Sequence, residues 1–281
     1  MEIKSYICYN PKSEIEVDFN KWLQSQYNAM NLVIKYITEF KPDFVEKYIE
    51  YLSNKLEDAI NSIERKDGYY DFPVEMKFDF LEKYPKLMDL TATFILVHVN
   101  PLKISQKNPE KYLMYSLDFV KAFERISYLR VKTFIELLDK DEGLKLYTKI
   151  LTRIVEDDNK INPQKDDVSI TKNRELSIKQ WCRIGLGDFT YCILDEHIDL
   201  YRFDKCLTHE ALKDFNDPDV AYWASCYRGD IPTFNNDKII QMRRTQTLHH
   251  GDFCDEMYWD SRIHNNPKQP SLDFTRKLKE K

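Results

Sequence analysis

The sequence predicts an α+β fold, a helical N-terminal half followed by an antiparallel sheet with helices packed on one face. Three observations carry this reading. Over roughly the first 155 residues, apolar side chains recur at three-and-four spacing, the period of an amphipathic helix. In "DFTYCILDE" and "HIDLYRFD" the pattern changes to alternation, the period of a strand. The elements from there on read strand, strand, helix, helix, strand, strand.

In the first half, "VDFNKWLQSQYNAMNLVIKYITEF" sets Phe19, Trp22, Leu23, Met30, Leu32, Val33, Tyr36 and Ile37 at helical spacing. Pro42 interrupts it. "PDFVEKYIEYLSNKLEDAINSIER" then starts a second helix with proline in the first turn, where a missing N–H leaves no bond unmade. Lys77–Leu90 is a shorter helical candidate. Asn108-Pro109 reads as a cap and first helical residue ahead of "EKYLMYSLDFVKAFERISYLRVKTFIELLDK". Gly143 marks a break before "LKLYTKILTRIVED". No internal repeat and no constellation of reactive groups shows here, so residues 1–156 read as a helical scaffold or a surface for homodimerisation.

Residues 157–173, "DDNKINPQKDDVSITKN", are polar and hold a proline, which suits a linker or long loop. Residues 174–265 form the α+β domain and 266–281 a polar tail. "RELSIKQWCRIG" is a helix ended by Gly185. In the following strand, Phe189, Tyr191 and Ile193 face one side and Thr190, Cys192 and Leu194 the other. Cys206, His209, Glu210 and Lys213 then share a helix face. "NDPDV" caps the next helix, which carries Tyr222 and Cys226 and ends near Gly229. "KIIQMRRTQTLHH" and "FCDEMYWD" are expected to pair as a tight hairpin in which Gly251 supplies a positive φ.

Composition narrows the function classes. A net charge of −5, mixed along the chain, lacks the basic face of a nucleic-acid binder. Six glycines in 281 residues leave no Gly-rich phosphate loop. The longest strongly apolar run, "TATFILVHV", is about nine residues, against the ~18 that a membrane span needs. The start has no signal-peptide pattern, so the expected location is cytoplasmic. There, Cys8, Cys182, Cys192, Cys206, Cys226 and Cys254 are expected as packing, catalytic or metal-binding thiols, not as a disulfide framework.

The densest chemistry lies in "RRTQTLHHGDFCDEMYW". Alternation puts Cys254 and Glu256 on one face and Asp255 on the other, with Arg244 beside Met242 and Gln246 on the partner strand. Arg244 could hold a substrate carboxylate through its two-pronged fork, or pair with an acid of its own chain. Cys206 beside His209 could be a thiol next to a base. Cys206, His209, Cys226 and Cys254 also have the residue types of a zinc site, though only one pair is close in sequence.

Three segments together carry a family resemblance. Lys205-Cys206 stands in "FDKCLTHEALKDF", Cys226 with Asp230 in "WASCYRGD", and Arg244-Thr245, Gly251 and Cys254-Asp255 in the closing "RRTQTLHHGDFCDEMY". Over residues 180–260 this resembles the L-2-amino-thiazoline-4-carboxylic acid hydrolase family; Glu256 departs from it, where an aromatic is usual. The resemblance implies opening of a cyclic amidine to a carbamoyl-cysteine, with no cofactor and no metal. Cys206 or Cys254 would be the nucleophile, or water would. His209, Asp230 or Asp255 would move the proton, and Arg244, Thr245, Cys226 and Trp223 would bind the small-molecule substrate. The same cysteine rhythm resembles four-vinyl-reductase-type binding domains. That likeness implies a non-enzymatic pocket lined by aromatics such as Tyr191, Trp223 and Trp259.

Overall fold

The computed structural model describes residues 2–63, 77–99, 103–104, 111–164 and 167–278. In chain order the strands and helices are β1 (Glu2–Ile7), β2 (Glu14–Val17), α1 (Phe19–Phe40), α2 (Val45–Asn61), α3 (Pro85–Val99), β3 (Lys103–Ile104), β4 (Tyr112–Tyr115) and α4 (Ser116–Leu138). They continue with α5 (Lys140–Ile161), α6 (Ile170–Arg183), β5 (Gly187–Asp195), β6 (Ile198–Cys206), α7 (Leu207–Leu212), α8 (Pro218–Ser225), α9 (Tyr227–Asp230), β7 (Ile240–Arg243), β8 (Cys254–Asp260) and α10 (Leu272–Lys277). The predicted α+β class holds, with helices dominating the N-terminal half and the larger sheet in the C-terminal half. The chain divides into two compact units, Glu14–Ile154 and Met1–Ser13 with Val155–Lys281.

In the helical unit the apolar stripes read from the sequence become the core. Leu23, Met30 and Ile37 of α1, Leu52 and Leu56 of α2, Leu87 and Ile95 of α3, and Val131 and Phe134 of α4 are all buried. Asp18 caps α1 by accepting the Lys21 N–H, and Pro42 opens a single 3-10 turn before α2. The stretch before α4 is not helical throughout. Tyr112–Tyr115 pairs with β2 and β3 in a small three-stranded sheet. The expected cap at Asn108-Pro109 lies outside the described residues. The break assigned to Gly143 falls four positions earlier, at Asp139 with φ 77°, and Gly143 sits inside α5.

The second unit holds a five-stranded antiparallel sheet in the order β1-β5-β6-β8-β7. Its faces follow the alternation read from the sequence. Phe189, Tyr191, Tyr201, Phe203 and Cys254 meet Ile178 and Trp181 of α6 on one side. Cys192, Leu200, Met257 and Trp259 meet Phe274 and Leu278 on the other. The C-terminal segment read as a polar tail therefore supplies α10, which covers the second face. Buried Arg202 fastens it by donating to the carbonyls of Thr275 and Arg276 at the end of that helix.

Three other expectations change. Cys8 and Cys182 are joined in a disulfide, whereas Cys192, Cys206, Cys226 and Cys254 are free thiols. Because β1 pairs with β5, Cys8 at its end comes against the last turn of α6, which sequence spacing could not show. The polar stretch 157–173 is only partly a loop. α5 runs on to Ile161, and Gln164 accepts the backbone N–H groups of Ile239 and Ile240 at 2.7 and 2.9 Å. The tight hairpin is replaced by a long connection, since β7 stops at Arg243 and β8 starts at Cys254. Gly185 alone among the described glycines has positive φ. Gly251 does not have the expected positive φ, and a Cβ on it would meet only the amide end of the Gln246 side chain. Among the described residues, no helix is long and apolar enough to cross a membrane.

Candidate functional site

The connection from Arg244 to Phe253 has few strand bonds and takes its acceptors from β8 instead. Asp255, with 0% exposure, accepts the backbone N–H groups of Thr245 and Gln246 at 2.8 and 2.7 Å. It also accepts the Thr245 hydroxyl and the Gln269 amide, the latter at 2.7 Å. Four donors on two oxygens make Asp255 the hub that closes the loop. Two of the sequence candidates, Asp255 and Thr245, are thereby engaged with each other.

That closure holds Arg244 beneath the loop. Its Nε donates to Asp230 Oδ1 at 3.1 Å, one Nη lies 3.4 Å from the Cys226 carbonyl, and the other stands 3.6 Å from Glu256. The guanidinium expected for a substrate carboxylate is thus already gripped by two acids of its own chain. α9 delivers Asp230 to this point, and Tyr222 of α8 donates its hydroxyl to the second Asp230 oxygen at 2.9 Å. Glu256 is likewise held, accepting from Tyr258 at 2.7 Å. Glu256 therefore belongs to the charge cluster around Arg244.

Burial raises the Asp230 carboxyl above its ordinary range, and the Arg244 charge only partly offsets this. Desolvation and the facing Asp230 push the Tyr222 phenol far up. Both half-buried Cys206 and buried Cys254 have their thiols raised by desolvation, Cys254 strongly so and with Glu256 adding to the effect. Cys254 is buried, and at Cys206 the His209 and Thr208 N–H groups at the start of α7 only partly offset the desolvation.

A cavity of about 470 Å³ opens on this cluster, lined by Tyr222, Asp230, Arg244, Thr245, Gln246, Thr247 and His250. Thr247 is 4% exposed and its Oγ1 has no hydrogen-bond partner. A buried hydroxyl left unmade costs on the order of 1–3 kcal/mol, and this one lies within the cavity wall, without surface open to the cavity. A second cavity, of about 270 Å³, is lined by His209 and His249 together with Lys213, Asn216 and Asp217. No family model, no curated protein and no solved structure matches this chain.

The nine sequence candidates therefore separate. Asp230, Arg244 and Thr245 meet at the larger cavity, and the Cys226 carbonyl braces Arg244. His209 lines the smaller cavity. Cys254 is buried against the aromatic face of the sheet. Trp223 packs on Tyr227 with ring centroids 3.8 Å apart. Tyr191 and Trp259 lie on opposite faces of the sheet, so the expected aromatic-lined pocket does not form from these three. Cys206, His209, Cys226 and Cys254 do not gather into a zinc site, and the described residues hold no group of three or more His, Cys, Asp or Glu that could bind a metal.

Thr247 lines the larger cavity and His249 the smaller, with Ser225 behind His249 at 3.1 Å; none of the three was among the candidates. Tyr222, Cys226 and Asp230 did leave a signal, a four-residue repeat along one helical face. Ser225 and His249 left none, being 24 residues apart on unlike elements.

Proposed function

We propose that this chain is a hydrolase of an amidine-type carbon–nitrogen bond in a small cyclic molecule, with Asp230 as the group that moves the proton and water as the nucleophile. The observation that carries the reading is Asp230 itself. It is a carboxylate desolvated at a cavity wall, held at one oxygen by Tyr222 and at the other by Arg244, with lone pairs still free. A carboxyl raised above its ordinary range is a better base once ionised and a usable acid once protonated. The family resemblance at Cys226, Asp230 and Arg244-Thr245 supports the same reaction class.

The balance of charge favours a cationic amidine. Asp230 and Glu256 face one guanidinium, so the cluster carries an excess acid that an amidinium would neutralise. In the proposed step, Asp230 takes a proton from water as its oxygen bonds to the amidine carbon. That proton passes to the ring nitrogen as the carbon–nitrogen bond breaks, and the remaining hydroxyl proton follows to the amine as the carbonyl forms, leaving a carbamoyl group and an ammonium. Arg244 and Tyr222 are positioning residues that fix both Asp230 oxygens. The raised thiols of Cys206 and Cys254 support water over a thiolate as nucleophile.

The test is turnover of 2-amino-thiazoline-4-carboxylate followed by mass spectrometry. Wild type should form S-carbamoyl-cysteine, the product of ring carbon–nitrogen cleavage; the N-carbamoyl isomer would show that the carbon–sulfur bond breaks instead. Asp230→Asn should lose about 10²–10⁴-fold in rate, the range for a general acid–base group, while Cys206→Ser and Cys254→Ser should stay within a few-fold. Full activity in Asp230→Asn overturns the role of Asp230. Saturable binding without turnover moves the site to a non-enzymatic binding module.

A further inference from the structure

We propose that His209 and His249 form a second site, one that binds a divalent late first-row metal ion through their two Nδ1 atoms, with water in the remaining coordination positions. Nothing in this inference depends on the hydrolase reading, because the site opens on the other cavity.

The geometry of the pair comes first. The two Nδ1 atoms are 3.4 Å apart and the ring centroids 5.1 Å apart. Two imidazoles on one tetrahedral ion, each bonded at about 2.05 Å, have their nitrogens ~3.3–3.4 Å apart and their centroids ~5.2 Å apart. A linear N–H···N contact has a shorter optimum, near ~3.0 Å, and stretched to this separation it would hold the centroids about 5.7 Å apart. The rings are therefore bent toward a shared point.

The protons can be accounted for. Ser225 Oγ lies 3.1 Å from His249 Nε2, and its own hydroxyl has the Ala221 carbonyl at 2.7 Å and Cys226 Sγ at 3.5 Å as acceptors. With the hydroxyl hydrogen on the nearer carbonyl, His249 Nε2 donates to Ser225 and its Nδ1 carries a lone pair toward His209. This is the arrangement in which a hydroxyl behind a metal-binding histidine fixes its tautomer.

The surroundings leave room for the ion. The cavity of about 270 Å³ on which both rings open can supply water ligands. Lys213, the one cationic side chain on its wall, is drawn to Glu210 at 2.6 Å. Two protein ligands are fewer than the three of a catalytic zinc site or the four of a structural one. The ion would therefore be exchangeable and open to a further ligand.

The experiment is calorimetric titration of chelator-treated, full-length protein with zinc sulfate, beside His209→Gln, His249→Gln and Ser225→Ala. Wild type should bind about one zinc per chain, each histidine variant should bind at least ~10-fold more weakly, and Ser225→Ala about tenfold more weakly. Cobalt(II) in place of zinc should show no sulfur-to-metal charge-transfer band, since no thiol ligates. Lack of saturable zinc binding, weakening in only one histidine variant, or a sulfur band would each overturn the site. The two histidines lie on separate elements, and far-UV circular dichroism of each variant identifies any that has lost its fold, leaving the other as the test.

Discussion

Asp255 and Asp230 flank the same arginine-bearing segment, and the contrast between them shows what makes an acid available for chemistry. Asp255 is 0% exposed and accepts from four donors of its own chain. Asp230 accepts from two, Tyr222 and Arg244, and borders a cavity of about 470 Å³. Both stand in a segment dense with reactive residue types, and burial alone would rank Asp255 first. Residual hydrogen-bonding capacity at an accessible wall reverses the ranking. A carboxylate saturated by backbone and side-chain donors has become part of the loop's architecture, whereas one with a free lone pair can still accept a substrate proton.

The comparison is broken most severely at Asp255. Asp255→Ala would leave buried donors from Thr245, Gln246 and Gln269 unpaired, each costing on the order of 1 kcal/mol or more. A destabilisation of about 4 kcal/mol is expected in denaturant unfolding, with loss of the folded loop. Asp230→Asn should cost far less stability while removing turnover. Equal destabilisation by the two changes would show that Asp230 is structural as well.

The next effect is covalent. The Cys8–Cys182 bond spans 174 positions of sequence and fastens the edge strand β1 to α6. Cys182→Ser is expected to lower stability by about 2–4 kcal/mol, the usual scale for losing a native disulfide. Thiol titration of unreduced, denatured wild type should find the four free cysteines, Cys192, Cys206, Cys226 and Cys254. Six titrating thiols would remove this fastener from the account.

What the sequence could show follows from how local each signal is. α1 and the faces of β5 are periodic within a few residues, so they were legible. The opposite sides of Cys254 and Asp255 followed from alternation alone. The disulfide was not legible, because Cys8 reaches Cys182 only through the pairing of β1 with β5. Nor was α10, whose two apolar contacts, Phe274 and Leu278, are diluted among charges. The loop at Arg244–Phe253 looked like a hairpin because its residue types suit strands. Its bonds instead run to the Asp255 side chain, a competition that no propensity records. Thr247, finally, is a common residue made unusual only by burial without a partner.

A pH experiment sharpens the comparison with a smaller effect. Burial raises Asp230 above its ordinary 3.8 in the folded state. Between that value and the folded one, the folded chain holds a proton that the unfolded chain has released. Stability must therefore fall as pH rises through this window, and be fully present below 3.8. Asp230→Asn cannot ionise and should lack that part of the slope. Unfolding free energies of both proteins across this range should diverge as pH rises, with wild type losing ground. Parallel curves would mean that Asp230 titrates as an ordinary surface acid.

The smallest effect tests the cavity wall itself. Thr247 has a buried hydroxyl without a partner, so Thr247→Val removes an unmet polar group and leaves a side chain of nearly the same shape. In the ligand-free protein this change should be neutral or stabilising by up to about 1 kcal/mol, because the desolvated hydroxyl is lost and no bond is broken. With 2-amino-thiazoline-4-carboxylate present, Thr247→Val should leave affinity within about twofold, because the hydroxyl has no surface open to the cavity and so no ligand hydrogen bond to lose. Denaturant unfolding and calorimetric titration on the same two proteins give both numbers. A loss of stability without ligand would place an unseen partner on the hydroxyl, and a loss of affinity of about tenfold, the scale of one neutral hydrogen bond, would show that the wall opens to the ligand.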